Sequence, residues 1–187
     1  MESLLKQEAS NCVKVVLFGP ESTGKTELAK ALAEYYNTLW VPEYSRFLAE
    51  EKNKNKEQLS RNDVLTIAKG QMALENKLTT SVEQLLICDT DLLETKVYSE
   101  YYYKGFCPDQ LTKYAAENYY NLYFLTNIDI PWEADNIRDK PHEREALFLA
   151  FQKALKKYNK PFVLLEGDFN VRLKSAIRHI DNLLKQK

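Results

Sequence analysis

Eight residues near the start of the chain have types and spacing that suit phosphate chemistry. The segment GPESTGKT, residues 19–26, matches the pattern G-x-x-x-x-G-K-[ST], and it lies between an apolar run and a helical pattern. Gly19 and Gly24 permit a tight backbone that turns successive N–H groups toward phosphate oxygens at a helix N-terminus. In such a loop Lys25 reaches the β- and γ-phosphates, and the Thr26 hydroxyl holds Mg²⁺. The segment therefore predicts a site for a nucleoside triphosphate, with ATP and Mg²⁺ as the expected cofactors.

A second nucleotide contact is expected near the end of the chain. In kinases built on this loop, the segment after the last strand passes the adenine, and here that segment is EGDFNVR, residues 166–172. Gly167, Phe169 and Arg172 are therefore candidates for contact with the base. The predicted nucleotide-binding residues are Gly19, Glu21, Ser22, Thr23, Gly24, Lys25, Thr26, Glu27 and Arg172.

Carboxylates follow two other apolar runs. Asp89 comes directly after LLIC, at the place where enzymes with this loop keep the residue that positions Mg²⁺ or its water shell. Asp91 either caps the next helix or contacts the substrate. Glu43 comes after TLWV, where a carboxylate would orient an acceptor hydroxyl and accept its proton. An acidic first turn of a surface helix is the alternative for Glu43, and the choice between Glu43 and Asp89 as the base stays open.

The segment IDIPWEADNIRDKPHERE, residues 128–145, is predicted to form a lid. It carries Arg138 and Arg144, and its prolines at 131 and 141 interrupt regular structure. Guanidinium groups stabilise the charge that spreads over a transferred phosphoryl group, so arginines that close over the loop would be catalytic. Ion pairing with neighbouring acids is the alternative. Trp132 offers a flat face for stacking a cationic or aromatic ring, or is a core anchor.

Short apolar runs alternate with longer amphipathic segments along the chain. This alternation predicts an α/β fold of the P-loop kinase type, with a five-stranded parallel sheet flanked by helices, in which ligands bind at the carboxyl ends of the strands. The charged segment 50–63 is expected to be a solvated, mobile loop. The predicted strands are 13–18, 38–41, 83–89, 121–127 and 161–167. The predicted helices are 25–36, 43–51, 62–81, 91–103, 108–119, 143–159 and 170–185.

Length and composition limit the possible classes. The 187 residues fit a single domain, 1–187, with residues 1–12 as an N-terminal extension. A net charge of −1 gives no reason to expect a nucleic-acid partner. Three separated cysteines fit a reduced, cytoplasmic compartment, and no apolar run approaches the length of a membrane span. The aromatic run YSEYYYKGF, residues 98–106, would line the pocket, pack in the core or form a homodimer contact.

Other classes of protein with this loop are disfavoured. A GTPase needs an N-K-x-D guanine reader, but TNID, residues 126–129, lacks the lysine and has the wrong spacing. Large ATP-driven machines need more domain than 187 residues hold. A small-molecule kinase needs only a phosphate-binding loop, an acceptor pocket and an arginine lid, and the sequence predicts all three.

Five segments in a fixed order resemble one family. GPESTGKT, VPEYSR, CDTD, PWEADNIRDKPHER and EGDFNVR are similar to the nicotinamide riboside kinase domain of the NadR-type enzymes of NAD biosynthesis, over nearly the whole chain from about Val13. The resemblance implies transfer of the γ-phosphate of ATP to the 5′-hydroxyl of nicotinamide riboside, which gives nicotinamide mononucleotide. It implies lid roles for Arg138 and Arg144. It also implies that the residues lining the riboside pocket are Glu43, Tyr44, Arg46, Asp91, Trp132 and Asp135.

The sequence departs from that family in one respect. The multifunctional relatives carry an adenylyltransferase domain with an H-x-G-H motif, whereas neither of the two histidines here, His142 and His179, begins such a motif. We therefore expect the kinase domain alone. An aromatic, acidic pocket would also suit another vitamin-like cation such as thiamine, or a nucleoside. A regulatory module that senses ATP without transferring phosphate is the alternative from another class.

Overall fold

The computed structural model describes residues 2–131 and 143–186, and within them five parallel strands form one sheet with helices on both faces. The strand order is β2-β3-β1-β4-β5. The strands are β1 (Val13–Phe18), β2 (Trp40–Val41), β3 (Leu85–Asp89), β4 (Leu122–Thr126) and β5 (Phe162–Leu165). The helices are α1 (Lys25–Tyr35), α2 (Tyr44–Lys54), α3 (Val64–Thr79), α4 (Leu92–Tyr102), α5 (Asp109–Glu117), α6 (Arg144–Lys157) and α7 (Phe169–Lys185), with short 3₁₀ helices at Glu2–Leu5 and Arg61–Asp63.

The sheet is buried on both faces because its side chains alternate between two apolar layers. On β1, Val15 and Leu17 pack in the layer that contains α1 and α7, whereas Val16 and Phe18 pack in the layer that contains α3, α4 and α6. A strand covered on both sides reads as a continuous apolar run, as VKVVLF does. The predicted α/β fold with a five-stranded parallel sheet is confirmed.

The predicted elements agree with the structure, except in the charged segment 50–63. That segment was expected to be a loop, but α2 continues to Lys54, so the prediction is wrong for its first part. The second part is also tied down: the Ser60 N–H and hydroxyl donate to Asp63 over 2.8 Å, and Lys52 pairs with Asp63 at 3.0 Å. Charge density alone does not distinguish a solvated helix from a loop.

The order of the strands explains where the polar residues gather. β1 lies between β3 and β4, with Leu17 paired to Asp89 and Phe18 paired to Leu125. The carboxyl ends of these strands therefore lie side by side, which is where ligands bind in open parallel sheets. No helix of the described residues is both long and apolar enough to cross a membrane.

Candidate active site

The loop after β1 forms a backbone cradle at the N-terminus of α1. Gly19 has φ +138° and Gly24 has φ +80°, conformations that favour glycine. A Cβ atom at Gly19 would lie 2.7 Å from Thr126 Oγ1, so a side chain there would clash with the end of β4. The Thr23 hydroxyl donates to Pro20 O over 2.7 Å and closes the loop on itself. The predicted loop geometry is therefore present, with its N–H groups at the start of a helix.

Lys25 is folded back onto this loop. Its ammonium donates to Gly19 O over 2.6 Å and to Pro20 O over 2.9 Å, and it lies 3.2 Å from Glu94 Oε1. Burial alone would lower the pKa of Lys25, but the neighbouring carboxylates, Glu94 first among them, raise it above its usual value. Lys25 is therefore a buried, permanently charged cation at the centre of the cradle.

Thr26 and Asp89 meet beside the cradle. The Thr26 hydroxyl donates to Asp89 Oδ2 over 2.6 Å, and the other carboxylate oxygen, Oδ1, is buried with no hydrogen-bond partner among the described residues. Burial, followed by the charge of Glu43, raises the pKa of Asp89 to about 6. A buried carboxylate oxygen that accepts no hydrogen bond is suited to be a ligand of a cation. Among the described residues no group of three His, Cys, Asp or Glu side chains is placed to hold a metal ion.

Glu94 is a site residue that was missed from the sequence. It lies in the first turn of α4, its side chain is 2% exposed, and its Oε2 accepts a hydrogen bond of 3.2 Å from the Gly19 N–H. Burial raises the pKa of Glu94 well above its usual value, although Lys25 opposes the shift. An acidic residue in the first turn of a helix is common, because it complements the helix dipole. The sequence therefore held no signal that separated Glu94 from an ordinary first-turn residue.

Glu43 and Arg46 lie on the wall of the cavity in front of the cradle. Glu43 precedes α2, and the Ser45 hydroxyl donates to Glu43 Oε1 over 2.5 Å. Arg46 Nε lies 4.0 Å from Glu43 Oε2. Glu43 is close enough to the cradle to raise the pKa values of both Lys25 and Asp89. Glu43 therefore lies on the same cavity as the cradle, and its role toward an acceptor stays a prediction.

Tyr44 lies elsewhere. A Cβ atom at Gly70 of α3 would come within 2.3 Å of the Tyr44 ring, so the ring packs directly against the α3 backbone. The Tyr44 N–H donates to Gln71 Oε1 over 2.8 Å. Tyr44 does not belong to the cavity wall, because this packing holds its ring between α2 and α3. The structure therefore corrects the prediction that Tyr44 lines the acceptor pocket.

Asp91 is a helix cap. One carboxylate oxygen accepts from the Glu94 N–H over 2.9 Å, and the other accepts from the Tyr123 hydroxyl over 2.7 Å. The side chain is 1% exposed, and burial raises its pKa to about 6. Both oxygens are engaged inside the protein, so the structure favours the cap over the predicted substrate contact.

Arg172 supports the cradle through hydrogen bonds to backbone carbonyl oxygens. Its guanidinium donates to Thr23 O over 2.8 Å, to Gly167 O over 2.8 Å and to Asn127 O over 3.1 Å, and it pairs with Asp129. The residue is 3% exposed. These bonds join the loop to the segments after β4 and β5. The prediction that Arg172 contacts the nucleotide is corrected, since its donors are used by the protein.

Arg144 reaches the cradle from the start of α6. It donates to Ile130 O over 3.0 Å and to Ser22 O over 3.2 Å. Burial, followed by the charge of Arg172, lowers the pKa of Arg144. A guanidinium therefore lies beside the loop, and its predicted role in a lid stays a prediction. The other lid and pocket predictions, Trp132, Asp135 and Arg138, lie outside the described residues.

A cavity of about 890 Å³ opens between the cradle and helices α2, α3 and α4. Tyr98 and Tyr102 of α4 and Tyr103, the residue after it, lie on its wall, and the first two rings are parallel with centroids 5.8 Å apart. Phe169 and Ile130 lie on the wall beside the cradle. The predicted residues that line the cavity are Glu21, Ser22, Thr23, Gly24, Lys25, Thr26, Glu27, Glu43 and Arg46.

A family model and a curated relative both match most of this chain. A family model described as an AAA domain matches residues 14–172. The trifunctional NAD biosynthesis/regulator protein NadR of Salmonella typhimurium strain LT2 is 24% identical over 177 residues, which cover 92% of this chain and 43% of that protein. The resemblance that the ordered segments predicted is thereby confirmed. The chain spans less than half the length of this curated relative.

Solved structures share the fold. A NadR protein in complex with NR has a TM-score of 0.78 and 22% identity, covering 94% of this chain and 52% of that one. A NadR protein in complex with NAD and AMP-PNP has a TM-score of 0.73 and 23% identity, covering 91% and 49%. Thymidylate kinase from Ehrlichia chaffeensis has a TM-score of 0.62 and 17% identity, covering 90% and 98%. The fold is that of P-loop nucleoside and nucleotide kinases.

Proposed function

We propose that this chain, which belongs to the AAA domain family, is an ATP-dependent kinase that phosphorylates the 5′-hydroxyl of nicotinamide riboside to give nicotinamide mononucleotide. The observation that carries the proposal is a single cavity with a phosphate cradle at one side and an acceptor-side carboxylate, Glu43, in front of it. A nucleotide-binding module without an acceptor needs only the cradle. A kinase needs both, because the acceptor hydroxyl must lie in line with the phosphate.

The donor phosphates would bind at the loop between β1 and α1. The N–H groups of the loop point at the ligand from a helix N-terminus, and Lys25 supplies a full positive charge. Lys25 would leave at least one of its present acceptors to reach the β- and γ-phosphates. In this buried site its charge is poorly screened, so it stabilises the transferred phosphoryl strongly.

A magnesium ion would be held beside the phosphates by Thr26 and Asp89. Asp89 Oδ1, which has no hydrogen-bond partner in the part of the chain that the structure describes, and the adjacent Thr26 hydroxyl are oxygen ligands of the kind that Mg²⁺ prefers. When bound, the ion neutralises phosphate charge and orients the β- and γ-oxygens. Asp89 would be ionised for this role at neutral pH, since burial raises its pKa only to about 6.

Glu43 is the proposed base for the acceptor hydroxyl. Asp89 is less free for that role, because its Oδ2 atom is held by Thr26 and its Oδ1 atom is the proposed metal ligand. Glu43 Oε1 accepts from the Ser45 hydroxyl, and Glu43 Oε2 lies 4.0 Å from Arg46 Nε. Its carboxylate would orient the hydroxyl and take its proton as the phosphoryl is transferred.

Two features support nicotinamide riboside as the acceptor. The solved NadR protein with a TM-score of 0.78 is in complex with NR. The cavity also offers tyrosine rings, at Tyr98, Tyr102 and Tyr103, together with the carboxylate of Glu43. Aromatic faces and nearby negative charge are the groups that bind a flat cationic ring such as a pyridinium.

A nucleoside kinase is the second candidate, because the fold also matches thymidylate kinase and a deoxyadenosine kinase from M. mycoides, the latter with a TM-score of 0.54. Uncharged bases would stack on the same tyrosines. The two candidates differ in the charge of the acceptor ring, not in the reaction.

An assay of ADP release tests the proposal. The purified chain is incubated with ATP, Mg²⁺ and one acceptor at a time: nicotinamide riboside, thiamine, a panel of nucleosides, or none. We expect ADP release that depends on nicotinamide riboside, with nicotinamide mononucleotide as the second product. ADP release with only a nucleoside or only thiamine would replace nicotinamide riboside as the proposed acceptor. Binding of ATP without ADP release under any condition would favour the alternative of a nucleotide-binding module that transfers no phosphate. Lys25→Ala serves as the inactive control.

A further inference from the structure

We propose that Glu94 sets the nucleotide affinity of the cradle, because its carboxylate occupies Lys25 and must be displaced by the phosphates. The inference rests on the proposed function only in taking the cradle as a nucleotide site. It concerns donor binding and release, and it holds for any acceptor.

The geometry places Glu94 in the position of a bound anion. Its Oε2 atom accepts from the Gly19 N–H over 3.2 Å, and its Oε1 atom lies 3.2 Å from the Lys25 ammonium. Lys25 is the group that gives this loop its grip on the β- and γ-phosphates. A carboxylate on the first N–H of the loop and on its lysine therefore makes contacts of the kind that a phosphate would make.

Among the described residues, three acceptor groups surround the Lys25 ammonium. Lys25 has three N–H groups, and the surrounding acceptors are Gly19 O, Pro20 O and the Glu94 carboxylate. A phosphate that binds Lys25 must replace one of them. The Lys25 ammonium favours the ionised form of Glu94, although burial raises the pKa of that carboxyl well above its usual value. In its ionised form Glu94 is the acceptor that a phosphate would repel.

Burial makes this repulsion strong. The exposed fraction of the side chain is 8% for Lys25 and 2% for Glu94, so water screens the charges poorly. Glu94 lies on the wall of the cavity with Thr95 and Tyr98, so a side chain that leaves the loop would turn toward this cavity. Nucleotide binding would then exchange one anion on Lys25 for another.

The exchange has a consequence for the reaction cycle. A triphosphate offers Lys25 two phosphates, whereas the ADP left after transfer offers one. Glu94 competes more effectively with ADP than with ATP, because the opposing contacts are fewer. The carboxylate would therefore promote release of the product nucleotide and limit product inhibition.

The neutral, nearly isosteric variant Glu94→Gln tests the inference without any acceptor. Binding of ADP and of AMP-PNP, each with Mg²⁺, is measured by calorimetry, and ADP dissociation by stopped flow. We expect both nucleotides to bind about tenfold more tightly and ADP to dissociate more slowly, since one competing charge is removed. Glu117→Gln, an exposed carboxylate on α5, is the matched control and should bind as the unmodified chain does.

Unchanged or weaker binding by a folded Glu94→Gln variant would overturn the inference, because it would show that Glu94 only supports the loop. Thermal unfolding establishes that the variant is folded, and Glu94→Ala provides a second neutral variant if glutamine disturbs the packing. If Glu94→Gln binds nucleotide more tightly but the unmodified chain phosphorylates none of the acceptors, the proposed kinase function is refuted and this inference still holds. With an active acceptor, Glu94→Gln should also lower the KM for ATP and strengthen inhibition by ADP.

Discussion

The Thr26 hydroxyl donates a hydrogen bond of 2.6 Å to Asp89 Oδ2, and this bond joins the first turn of α1 to the end of β3. It fixes the orientation of the Asp89 carboxylate and leaves Oδ1 directed away from that partner. A protein group whose rotation is already restricted loses less entropy when it takes up a ligand. The arrangement thus prepares the site for the cation that the proposed transfer requires.

Asp89→Asn should abolish the dependence of turnover on magnesium. The asparagine can still accept from Thr26, but it loses the negative charge that attracts Mg²⁺. We expect turnover to fall by about 10²-fold or more, as for removal of a group that stabilises the transition state electrostatically. The ADP-release assay over a magnesium titration checks this. Asp109→Asn, an exposed carboxylate at the start of α5, should leave turnover unchanged, and full activity of Asp89→Asn would remove Asp89 from the metal site.

Lys25→Ala should abolish transfer, but it also leaves Glu94 as a buried charge without its cation. Removing one partner of a buried pair destabilises a protein by roughly 3–5 kcal/mol, so loss of activity alone would be ambiguous. The double variant Lys25→Ala/Glu94→Gln removes both charges and should recover most of the lost unfolding free energy while remaining inactive. Denaturant unfolding and ADP release, measured on the same samples, separate the two effects. An active double variant would contradict the proposed role of Lys25.

Most of the backbone that builds this site was predictable from the sequence. The glycines of the loop need positive φ, and a buried parallel strand must be apolar on both faces, so GPESTGKT after VKVVLF specifies a strand, a loop and a helix together. Asp89 and Glu43 were predictable for the same reason, because each follows an apolar run at the carboxyl edge of the sheet. These predictions depend only on local patterns and on the parallel topology.

The predictions that failed depend on where a side chain points after its strand ends. Tyr44 and Arg172 follow strands at the correct edge, yet each turns into the protein and finds partners there. Asp91, for which a helix cap and a substrate contact were both predicted, also turns inward and forms the cap. Glu94 makes the opposite turn and enters the cradle. The direction in which such a side chain points depends on packing between elements far apart in sequence, such as the contact of Tyr44 with Gly70. A single sequence carries little information on such contacts.

Gly70→Ala should destabilise the chain through Tyr44. The added methyl group would lie 2.3 Å from the tyrosine ring, in contact with a flat, rigid group that must move. We expect a loss of about 1–3 kcal/mol in unfolding free energy, as for other overpacked sites, measured by denaturant titration. Since Tyr44 adjoins Glu43, turnover should fall as well. Tyr44→Leu in the same chain should restore part of the stability, and strictly additive effects would mean that the two residues do not meet.

Arg172→Met should loosen the cradle without removing any group that touches the nucleotide. The methionine keeps the apolar stem but loses the bonds to Thr23 O, Gly167 O and Asn127 O. The unfolding free energy should fall by about 3 kcal/mol, because buried carbonyls lose charged donors. Nucleotide affinity should weaken alike for ATP, ADP and GTP. A loss confined to adenine nucleotides would instead restore the predicted base contact.

Arg144→Ala should lower turnover more than it weakens ATP binding, if the guanidinium acts mainly on the transferred phosphoryl. Its hydrogen bonds to Ser22 O and Ile130 O hold it at the rim of the cradle, and it would have to exchange one of them to contact a phosphate. A charge that is felt mostly in the transition state changes kcat and leaves KM nearly constant. We expect a fall in kcat of about 10²-fold, and the same pattern for Arg138→Ala. Arg178→Ala, an exposed arginine on α7, is the control, and an equal loss of ATP affinity and turnover in Arg144→Ala would reduce Arg144 to a structural support of the loop.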